Sequence, residues 1–360
     1  MMSFIPLFLF YEVIDFLNHE QYIKRCLEIA QKGIGFTRPN PSVGAVVVSN
    51  GKIIGEGYTS AYGGNHAEVN AIESVKDVEL LKEATIYVTL EPCSHHGKTP
   101  PCSDLIIEKG IPEVVIGCVD SNSVVAGKGI SRLEKAGCKV TVGVLEQECK
   151  EHHRRFFTFH ELVRPYIVLK WAESKDGFIA PLKRDERKPV WISGEVSRQL
   201  VHQWRSQEHA ILVGTKTVIE DNPKLDVRNW KGQNPVRIII DRELKISKNS
   251  NVYDGSVKTI FITEKEREAS KELFFEKVDF SKPLAKEVCK VLHKHQIQSV
   301  LVEGGSQTLQ TFINEGLWDE AKVFVGKDNL VEGVKAPTFT YDSIALREIE
   351  NDQLKIYRND

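Results

Sequence analysis

Three residues with metal-binding side chains lie close together in the first third of the chain. His66 is followed after one residue by Glu68, and Cys93 and Cys102 are separated by eight residues. One imidazole and two thiolates are soft ligands of the kind zinc prefers, and the neighbouring sequence offers no obvious fourth. Structural zinc is usually closed by four protein ligands, whereas catalytic zinc keeps one position open for water. The pattern predicts catalytic zinc.

Glu68 is placed to take a proton from a water molecule at that open position. His-x-Glu followed by Pro-Cys and a second Cys is the signature of zinc nucleobase deaminases. A positioned acid/base group of this kind contributes about 10²–10⁴-fold to the rate. The alternative is that His66 simply begins a helix and that the cysteines are buried hydrophobic residues. The combination favours hydrolytic deamination.

The composition limits the class of protein. A chain of 360 residues is too long for one compact core, so two domains are expected. The net charge of −2 argues against a broad basic surface for nucleic acid. Seven scattered cysteines do not form a disulfide framework, which favours a reducing, cytoplasmic setting.

Residues 1–17 form an apolar extension that needs separate treatment. The run at residues 4–11 is too short to cross a bilayer. No Lys or Arg precedes this run and no small-residue cleavage site follows it, so it is a poor signal peptide. We expect a disordered or peripherally docked extension and no membrane role.

Hydrophobic periodicity predicts alternating helices and strands in the first half. Asn50-Gly51 is a two-residue turn signal between apolar strands at residues 43–49 and 52–57. Further helices are predicted at residues 18–33, 66–75, 103–109 and 130–136, and further strands at 85–90, 113–118 and 139–144. This alternation predicts a mixed sheet covered by helices.

A second unit begins after a predicted connecting helix at residues 147–159. Pro165 precedes a strand at 166–171, and helical patterns then separate short apolar strands at 210–214, 236–241, 259–262 and 299–302. The expected domains are therefore residues 18–163 and 164–360.

The segment at residues 91–102, EPCSHHGKTPPC, departs from the Cys-x-x-Cys spacing of cytidine and tRNA adenosine deaminases. With PNPSVG at 39–44 and VAGKG at 125–129, it closely resembles the bifunctional riboflavin-biosynthesis deaminase/reductase family over about residues 20–355. The resemblance implies a cytidine-deaminase-like three-layer domain followed by a dihydrofolate-reductase-like domain. The implied first substrate is 2,5-diamino-6-ribosylamino-4(3H)-pyrimidinone 5′-phosphate, which loses its 2-amino group to water.

The resemblance also implies roles for residues of the first domain. Glu68 would be the proton shuttle, and the zinc ligands would be His66, Cys93 and Cys102. Asn40, His95 and Lys98 match positions that contact the substrate in the family. Their chemistry suits this role, because an amide can hydrogen-bond to the edge of a pyrimidine and Lys with His can bind a phosphate. Alternatively, Asn40 only forms a turn between prolines and Lys98 is solvated. The chain departs from the family's common residues at Thr59, Ser121 and Ser123.

The second half lacks a Gly-x-Gly-x-x-Gly motif after Pro165. It does carry Glu303-Gly-Gly-Ser306 between a strand and a helical pattern, where glycines allow a phosphate to approach helix amides closely. Two glycines also make an ordinary turn, so this signal is weak by itself.

Four further segments resemble the family's reductase domain: KWAESKDG at 170–177, WIS at 191–193, GTKT at 214–217 and DNP at 221–223. The resemblance implies hydride transfer from NADPH to C1′ of the ribosylamino group, which opens the sugar to ribityl. The implied cofactor positions are Ala172, Trp191, Thr217, Asp221, Arg242, Gly305, Ser306 and Gln307. The implied substrate positions are Lys170, Asp176, Arg205, Leu225, Arg228 and Glu303.

The chemistry of these positions leaves some roles open. Paired Arg205 and Arg228 suit the substrate phosphate, with surface salt bridges as the alternative. Lys170 and Asp176 either orient the sugar or assist proton transfer. Pro189 replaces a common Ser, so that contact is lost or supplied by the backbone.

Two rival functions remain at this stage. One is a monofunctional deaminase whose second half only binds or regulates, and NADPH binding would exclude it. The other is a zinc-stabilised nucleic-acid module, which the charge balance and the cysteine spacing oppose. The expected partner is a small phosphorylated pyrimidine, without nucleic acid or membrane, and the family implies a homo-oligomer.

Overall fold

The computed structural model describes residues 7–95, 100–121, 127–183 and 190–359, with side chains from residue 19 onward. The chain divides into two compact units, residues 1–162 and 163–360. This division lies one residue from the boundary expected from the sequence. Across the described ranges, every helix is too short or too polar to span a bilayer.

The first unit is built on a five-stranded sheet in the order β2-β1-β3-β4-β5. Its strands are β1 Gly44–Ser49, β2 Lys52–Tyr58, β3 Thr85–Leu90, β4 Glu113–Cys118 and β5 Lys139–Val142. Strand β1 is antiparallel to β2 and β3, whereas β3, β4 and β5 run parallel. The helices are α1 Leu7–Ala30, α2 Ala67–Glu73, α3 Cys102–Glu108, α4 Lys128–Lys135 and α5 Glu146–Glu161.

The hairpin predicted from Asn50-Gly51 is confirmed. Both turn residues have positive φ values, 50° and 71°. A type I′ turn requires this conformation at both central positions, and it matches the twist of the flanking strands. The turn therefore fixes the antiparallel pairing of β1 with the edge strand β2.

The first helix corrects the expectation for the N-terminal extension. Helix α1 begins at Leu7, so the backbone of residues 7–17 is helical rather than disordered. The sequence between Leu7 and Ala30 contains neither proline nor glycine. Because each further residue of an existing helix adds one hydrogen bond, the helix propagates towards the N-terminus until such a breaker is reached.

The second unit contains a nine-stranded sheet in the order β11-β10-β9-β8-β12-β6-β13-β16-β15. Its strands are β6 Tyr166–Glu173, β8 Ala210–Gly214, β9 Val236–Ile240, β10 Thr259–Thr263, β11 Leu273–Lys277, β12 Ser299–Val302, β13 Glu320–Val325, β15 Ala345–Ile349 and β16 Asp352–Arg358. The short strands β7 Phe178–Ala180 and β14 Val334–Lys335 form a separate pair. The helices are α6 Glu195–Gln207, α7 Thr215–Asp221, α8 Leu284–Lys294 and α9 Ser306–Asn314.

The strands from β11 to β13 run parallel, and β16 and β15 extend the sheet as antiparallel strands. The α/β class expected for both halves is therefore confirmed. In open α/β sheets, ligands bind beyond the carboxyl ends of the parallel strands. The loops after β6, β8, β9 and β12 share such an edge.

Candidate active sites

The predicted zinc ligands come together in the first unit. His66 directly precedes α2, Cys93 lies in the loop after β3, and Cys102 begins α3. His66 Nδ1 lies 3.6 Å from Cys93 Sγ and 3.3 Å from Cys102 Sγ. Tetrahedral zinc, with bonds of about 2.0–2.1 Å to nitrogen and 2.3 Å to sulfur, requires N···S separations of about 3.5 Å. The three side chains fit this ion.

The donor set also has the chemistry of a metal site. Among the described residues, these three form the one cluster of potential metal ligands, with donor atoms all within 4.8 Å of one another. The thiols ionise as a pair. A hydrogen bond from Cys102 lowers the pKa of Cys93, with help from His66, whereas donation to Cys93 and burial raise the pKa of Cys102. One thiolate is thus formed readily, and a bound cation would favour the second.

Glu68 lies beside these ligands in the first turn of α2 and is only 4% exposed. Burial raises the pKa of Glu68 to about 7, and the charge of Cys93 acts in the same direction. Its carboxylate also interacts with the Cys102 thiol. A carboxyl group with a pKa near neutrality can accept and return a proton at physiological pH.

The loop that carries Cys93 is docked on the start of α3. The Cys102 amide donates a hydrogen bond to Cys93 Sγ at 3.3 Å. The Ser103 amide and hydroxyl both donate to the Cys93 carbonyl, at 3.2 and 3.0 Å. The unpaired amides of a helix N-terminus favour negative charge, so this arrangement suits a thiolate at Cys93.

The predicted substrate residues of this unit differ in what surrounds them. Asn40 is half-buried in a turn that Thr37 closes, since Thr37 Oγ1 donates to the Asn40 carbonyl at 2.9 Å. The Asn40 side chain has no hydrogen-bond partner among the described residues. His95 is exposed. Lys98 lies outside the described residues.

The departures from the family pattern also have structural settings. Thr59 is buried, and its hydroxyl accepts a hydrogen bond from the Val43 amide at 3.0 Å, so it braces the start of β1. The Ser121 hydroxyl is buried without a partner among the described residues. Ser123 and Pro189 lie outside those residues.

A cavity of about 1200 Å³ opens at the carboxyl ends of the parallel strands of the second unit. It brings together every predicted cofactor position, namely Ala172, Trp191, Thr217, Asp221, Arg242, Gly305, Ser306 and Gln307. It also includes most of the predicted substrate positions, namely Lys170, Arg205, Leu225, Arg228 and Glu303.

Asp176 is the exception, because it does not line this cavity. Its carboxylate accepts hydrogen bonds from the amides of Leu330 and Val331, at 3.0 and 2.8 Å, and from the Ser174 hydroxyl at 2.6 Å. These contacts tie the turn after β6 to a distant loop. In this structure the Asp176 carboxylate holds these two loops together, and its role towards the substrate stays a prediction.

Glu303 forms the centre of a buried charge cluster in the cavity wall. Arg205 donates to it twice, from Nε at 2.6 Å and from Nη2 at 2.8 Å. Burial opposes ionisation of Glu303, but the guanidinium outweighs it and lowers the pKa to about 2. Lys170 Nζ lies 4.0 Å away, and burial lowers the pKa of Lys170. Arg205 is therefore bonded to Glu303, and Arg228, the second arginine predicted to bind phosphate, lines the same cavity.

His202 is a cavity residue that the sequence analysis missed. It lies one turn before Arg205 on α6, and only 4% of it is exposed. Its Nδ1 lies 3.1 Å from the Asp226 carbonyl, which can only accept, so Nδ1 carries the hydrogen. Burial and the neighbouring Arg205 lower the pKa of His202 to about 4. The sequence signal that could have indicated His202 was its position three residues before Arg205, which puts both side chains on the same face of a helix.

The start of α9 contacts the end of β8 closely, because glycines remove the side chains between them. A Cβ atom at Gly214 would lie 2.5 Å from Thr308 Oγ1, and one at Gly304 would lie 2.9 Å from Val213 Cγ1. Gly305 adopts a φ of 69° directly before α9. Gly305, Ser306 and Gln307 line the cavity at the start of α9, where the first amides of a helix lack partners within the helix. Such amides can bind a phosphate.

Two residues at the exposed edge of the cavity interact with neighbouring side chains. Arg242 is 58% exposed and donates from Nε to Glu264 at 2.8 Å. Trp191 is 57% exposed, and the Arg198 guanidinium stacks 4.9 Å from its ring centre. Both side chains are therefore accessible to a ligand in the cavity.

The first unit holds a cluster of potential metal ligands beside a buried carboxylate, and the second holds a large cavity. These are the sites of a two-domain enzyme, and family models match both parts. Residues 17–118 match the cytidine and deoxycytidylate deaminase zinc-binding region, and residues 165–327 match the RibD C-terminal domain. The chain is 41% identical to riboflavin biosynthesis protein RibD of Aquifex aeolicus, covering 94% of this chain and 93% of that protein. It is 39% identical to RibD of Actinobacillus pleuropneumoniae, covering 88% and 85%.

Solved structures agree with these sequence matches. A diaminohydroxyphosphoribosylaminopyrimidine deaminase/5-amino-6-(5-phosphoribosylamino)uracil reductase from Thermotoga maritima has a TM-score of 0.87 and 38% identity, covering 96% of this chain and 99% of that one. RibD from Acinetobacter baumannii has a TM-score of 0.85 and 28% identity, covering 95% and 98%. The chain belongs to the RibD family of bifunctional deaminase/reductase enzymes of riboflavin biosynthesis.

Proposed function

We propose that the first unit deaminates 2,5-diamino-6-ribosylamino-4(3H)-pyrimidinone 5′-phosphate at its 2-amino group. The meeting of His66, Cys93 and Cys102 beside the buried carboxylate of Glu68 is the observation that carries this proposal. Zinc, when bound by these three ligands, supplies Lewis-acid activation that lowers the pKa of a water to roughly 7.

Glu68 performs the proton transfers of this reaction. Its carboxylate takes a proton from the attacking water and delivers it to the departing amine, so that ammonia leaves and a carbonyl forms. Asn40 has an unused side-chain amide and is suited to read the edge of the pyrimidine. His95 and Lys98 are assigned to the substrate by the family resemblance, with the phosphate as the matching group.

We propose that the second unit reduces the deaminated product with NADPH, which supplies a hydride to C1′ of the ribosylamino group. The free amides at Gly305, Ser306 and Gln307 support binding of the cofactor's phosphates at the start of α9. The glycines that let the start of α9 pack closely against the end of β8 set the position of these residues. Thr217 and Asp221 line the adjoining wall.

We assign the sugar and the phosphate of the substrate to different residues of the cavity. Lys170 lies within β6, and Glu303 directly follows the neighbouring strand β12. We assign both side chains to the ribosyl hydroxyl groups. Arg205 holds Glu303 ionised, so we assign the 5′-phosphate to Arg228 alone. Arg228 is 45% exposed and, among the described residues, pairs only with Asp226.

We also propose a cytoplasmic, self-associating enzyme. All seven cysteines are free thiols, which supports a reducing compartment. Self-association rests on the family resemblance.

A coupled assay on the full chain tests both reactions. Ammonia release and NADPH oxidation are followed separately for the wild type and Glu68→Gln, with the diaminopyrimidinone phosphate and with its deaminated product. We expect Glu68→Gln to lose about 10²–10⁴-fold in ammonia release. It should oxidise NADPH normally when given the deaminated product. A wild type that releases ammonia but consumes no NADPH with either compound contradicts the reductase assignment.

A further inference from the structure

Glu91 is a buried carboxylate that the proposed chemistry leaves unused. It follows β3 directly and is 4% exposed. Its Oε2 accepts hydrogen bonds from the amides of Asp120 and Gly127, at 3.3 and 3.0 Å. Its Oε1 accepts from the amides of Gly129 and Ile130, at 2.9 and 3.3 Å. One side chain thus satisfies four backbone donors on a distant segment.

Three of these donors, Gly127, Gly129 and Ile130, belong to the beginning of α4, and Asp120 lies soon after β4. Gly127 precedes the helix with a φ of 71° and has no side chain with which to cap it. The first amides of a helix lack partners within the helix, and together they carry partial positive charge. The Glu91 carboxylate supplies both the missing acceptors and the opposite charge.

The start of α4 also packs closely against the backbone of Pro92. A Cβ atom at Gly129 would lie 2.1 Å from the Pro92 carbonyl and 3.1 Å from Glu91 Oε1. Only glycine can occupy this position without displacing the peptide that leads into Cys93. Gly129, at the start of α4, is therefore the residue against which the Pro92-Cys93 peptide packs.

We propose that Glu91 is a positioning residue for the zinc site, which it serves by anchoring the Pro92-Cys93 peptide to the start of α4. This inference rests on the proposed zinc ligation by His66, Cys93 and Cys102. Glu91 fixes the loop from one side, and the helix α3 amides fix Cys93 from the other. The Cys93 sulfur is then held at its distance from His66 before any metal arrives, which is the arrangement that tight zinc retention requires.

The test is the rate at which zinc-loaded protein releases its metal to an excess chelator, read with a zinc-sensitive dye. Glu91→Gln keeps the size of the side chain but turns an amide NH₂ towards backbone donors. Glu113→Gln is the matched control, because Glu113 accepts bonds from Thr85 and Lys139 in the same sheet, away from Cys93. We expect Glu91→Gln to release zinc about 10–100-fold faster than the wild type, and Glu113→Gln to match the wild type.

Two further readouts separate positioning from general stability. NADPH oxidation with the deaminated product should be unchanged in Glu91→Gln, because it reports the other unit. Hydrogen exchange of the Gly127 and Gly129 amides should be slow in the wild type and at least about tenfold faster in the variant. The wild-type exchange measurement stands even if Glu91→Gln fails to fold.

The outcomes are distinct. Wild-type zinc release in Glu91→Gln, or unprotected Gly127 and Gly129 amides in the wild type, overturns the positioning role while zinc ligation stands. Equal acceleration in both variants overturns it too, because the effect would then be general destabilisation. A wild type that takes up no zinc overturns the proposed ligation, and the positioning role with it.

Discussion

Arg205 donates two hydrogen bonds to the Glu303 carboxylate, from Nε to Oε1 at 2.6 Å and from Nη2 to Oε2 at 2.8 Å. The side chains are 13% and 7% exposed, so the pair is buried in the cavity wall. Bidentate geometry of this kind fixes the orientation of a carboxylate as well as its charge. Glu303 is therefore presented to the cavity as an ionised, immobile acceptor.

Removing the charge of Glu303 should damage the second unit alone. Glu303→Gln leaves the Arg205 guanidinium buried without its counter-ion, which costs about 3–5 kcal/mol of unfolding free energy. All five tryptophans lie after residue 163, so tryptophan fluorescence during denaturation reports this unit selectively. NADPH oxidation should fall while ammonia release persists.

The control for Glu303→Gln is Glu266→Gln, which breaks a solvent-exposed pair with Lys277 in the same unit. Such surface pairs contribute little, so no measurable change is expected. If both variants unfold at the wild-type denaturant concentration, the buried pair does not stabilise this unit.

The same carboxylate predicts a pH dependence of stability. Because Arg205 lowers the pKa of Glu303 from 4.5 to about 2, the folded form binds the proton less readily than the unfolded chain. Its contribution is complete above pH 4.5 and is lost as the pH falls towards 2, a change on the order of 3 kcal/mol. Denaturant midpoints measured across this range should converge for the wild type and Glu303→Gln. A constant difference down to pH 2 contradicts this assignment.

Replacing a proposed zinc ligand should abolish one activity only. Cys102→Ser substitutes a hydroxyl that does not ionise for a thiolate, so zinc content and ammonia release should both be lost. Cys138→Ser is the control, since the Cys138 thiol lies outside the cluster and donates its hydrogen bond to the Ile111 carbonyl. Metal analysis by atomic emission gives the stoichiometry. One zinc per chain in Cys102→Ser would show that the ligand set is wrong.

The close approach of β8 to α9 predicts a rescue experiment. Gly214→Ala places a Cβ atom 2.5 Å from Thr308 Oγ1 and must displace the start of α9. Overpacking typically costs 1–3 kcal/mol, so we expect the KM for NADPH to rise roughly tenfold. Thr308→Ala removes the clashing oxygen, so the double variant should recover much of the loss. Equal KM values for Gly214→Ala with and without Thr308→Ala would contradict the steric explanation.

The zinc cluster and the first hairpin were predictable because their signals are local. His66, Cys93 and Cys102 lie at the borders of helices and a strand whose periodicity is visible in the sequence. The Asn50-Gly51 turn needs only two residues to specify its backbone. The family motifs likewise predicted the residues that line the cavity.

Several features were missed or wrongly expected because they depend on distant partners. Asp176 sits within a recognised motif, yet its carboxylate binds amides about 150 residues away. Strand β16 pairs antiparallel with β13, and β15 pairs antiparallel with β16; the weak apolar pattern of both strands did not reveal them. The helical backbone of residues 7–17 continues from a helix that was predicted to begin only at residue 18.

The sequence by itself determined the α/β class and the two-unit organisation, and it predicted a metal-binding triad with an acid/base residue beside it. Only the tertiary structure decided which charges pair, namely Arg205 with Glu303 and Glu91 with the start of α4. Local spacing constrains neighbours along one helix or turn, because backbone geometry fixes their separation. Charges far apart in the sequence meet only when strands and helices pack, and burial then makes each contact strong enough to set a residue's role.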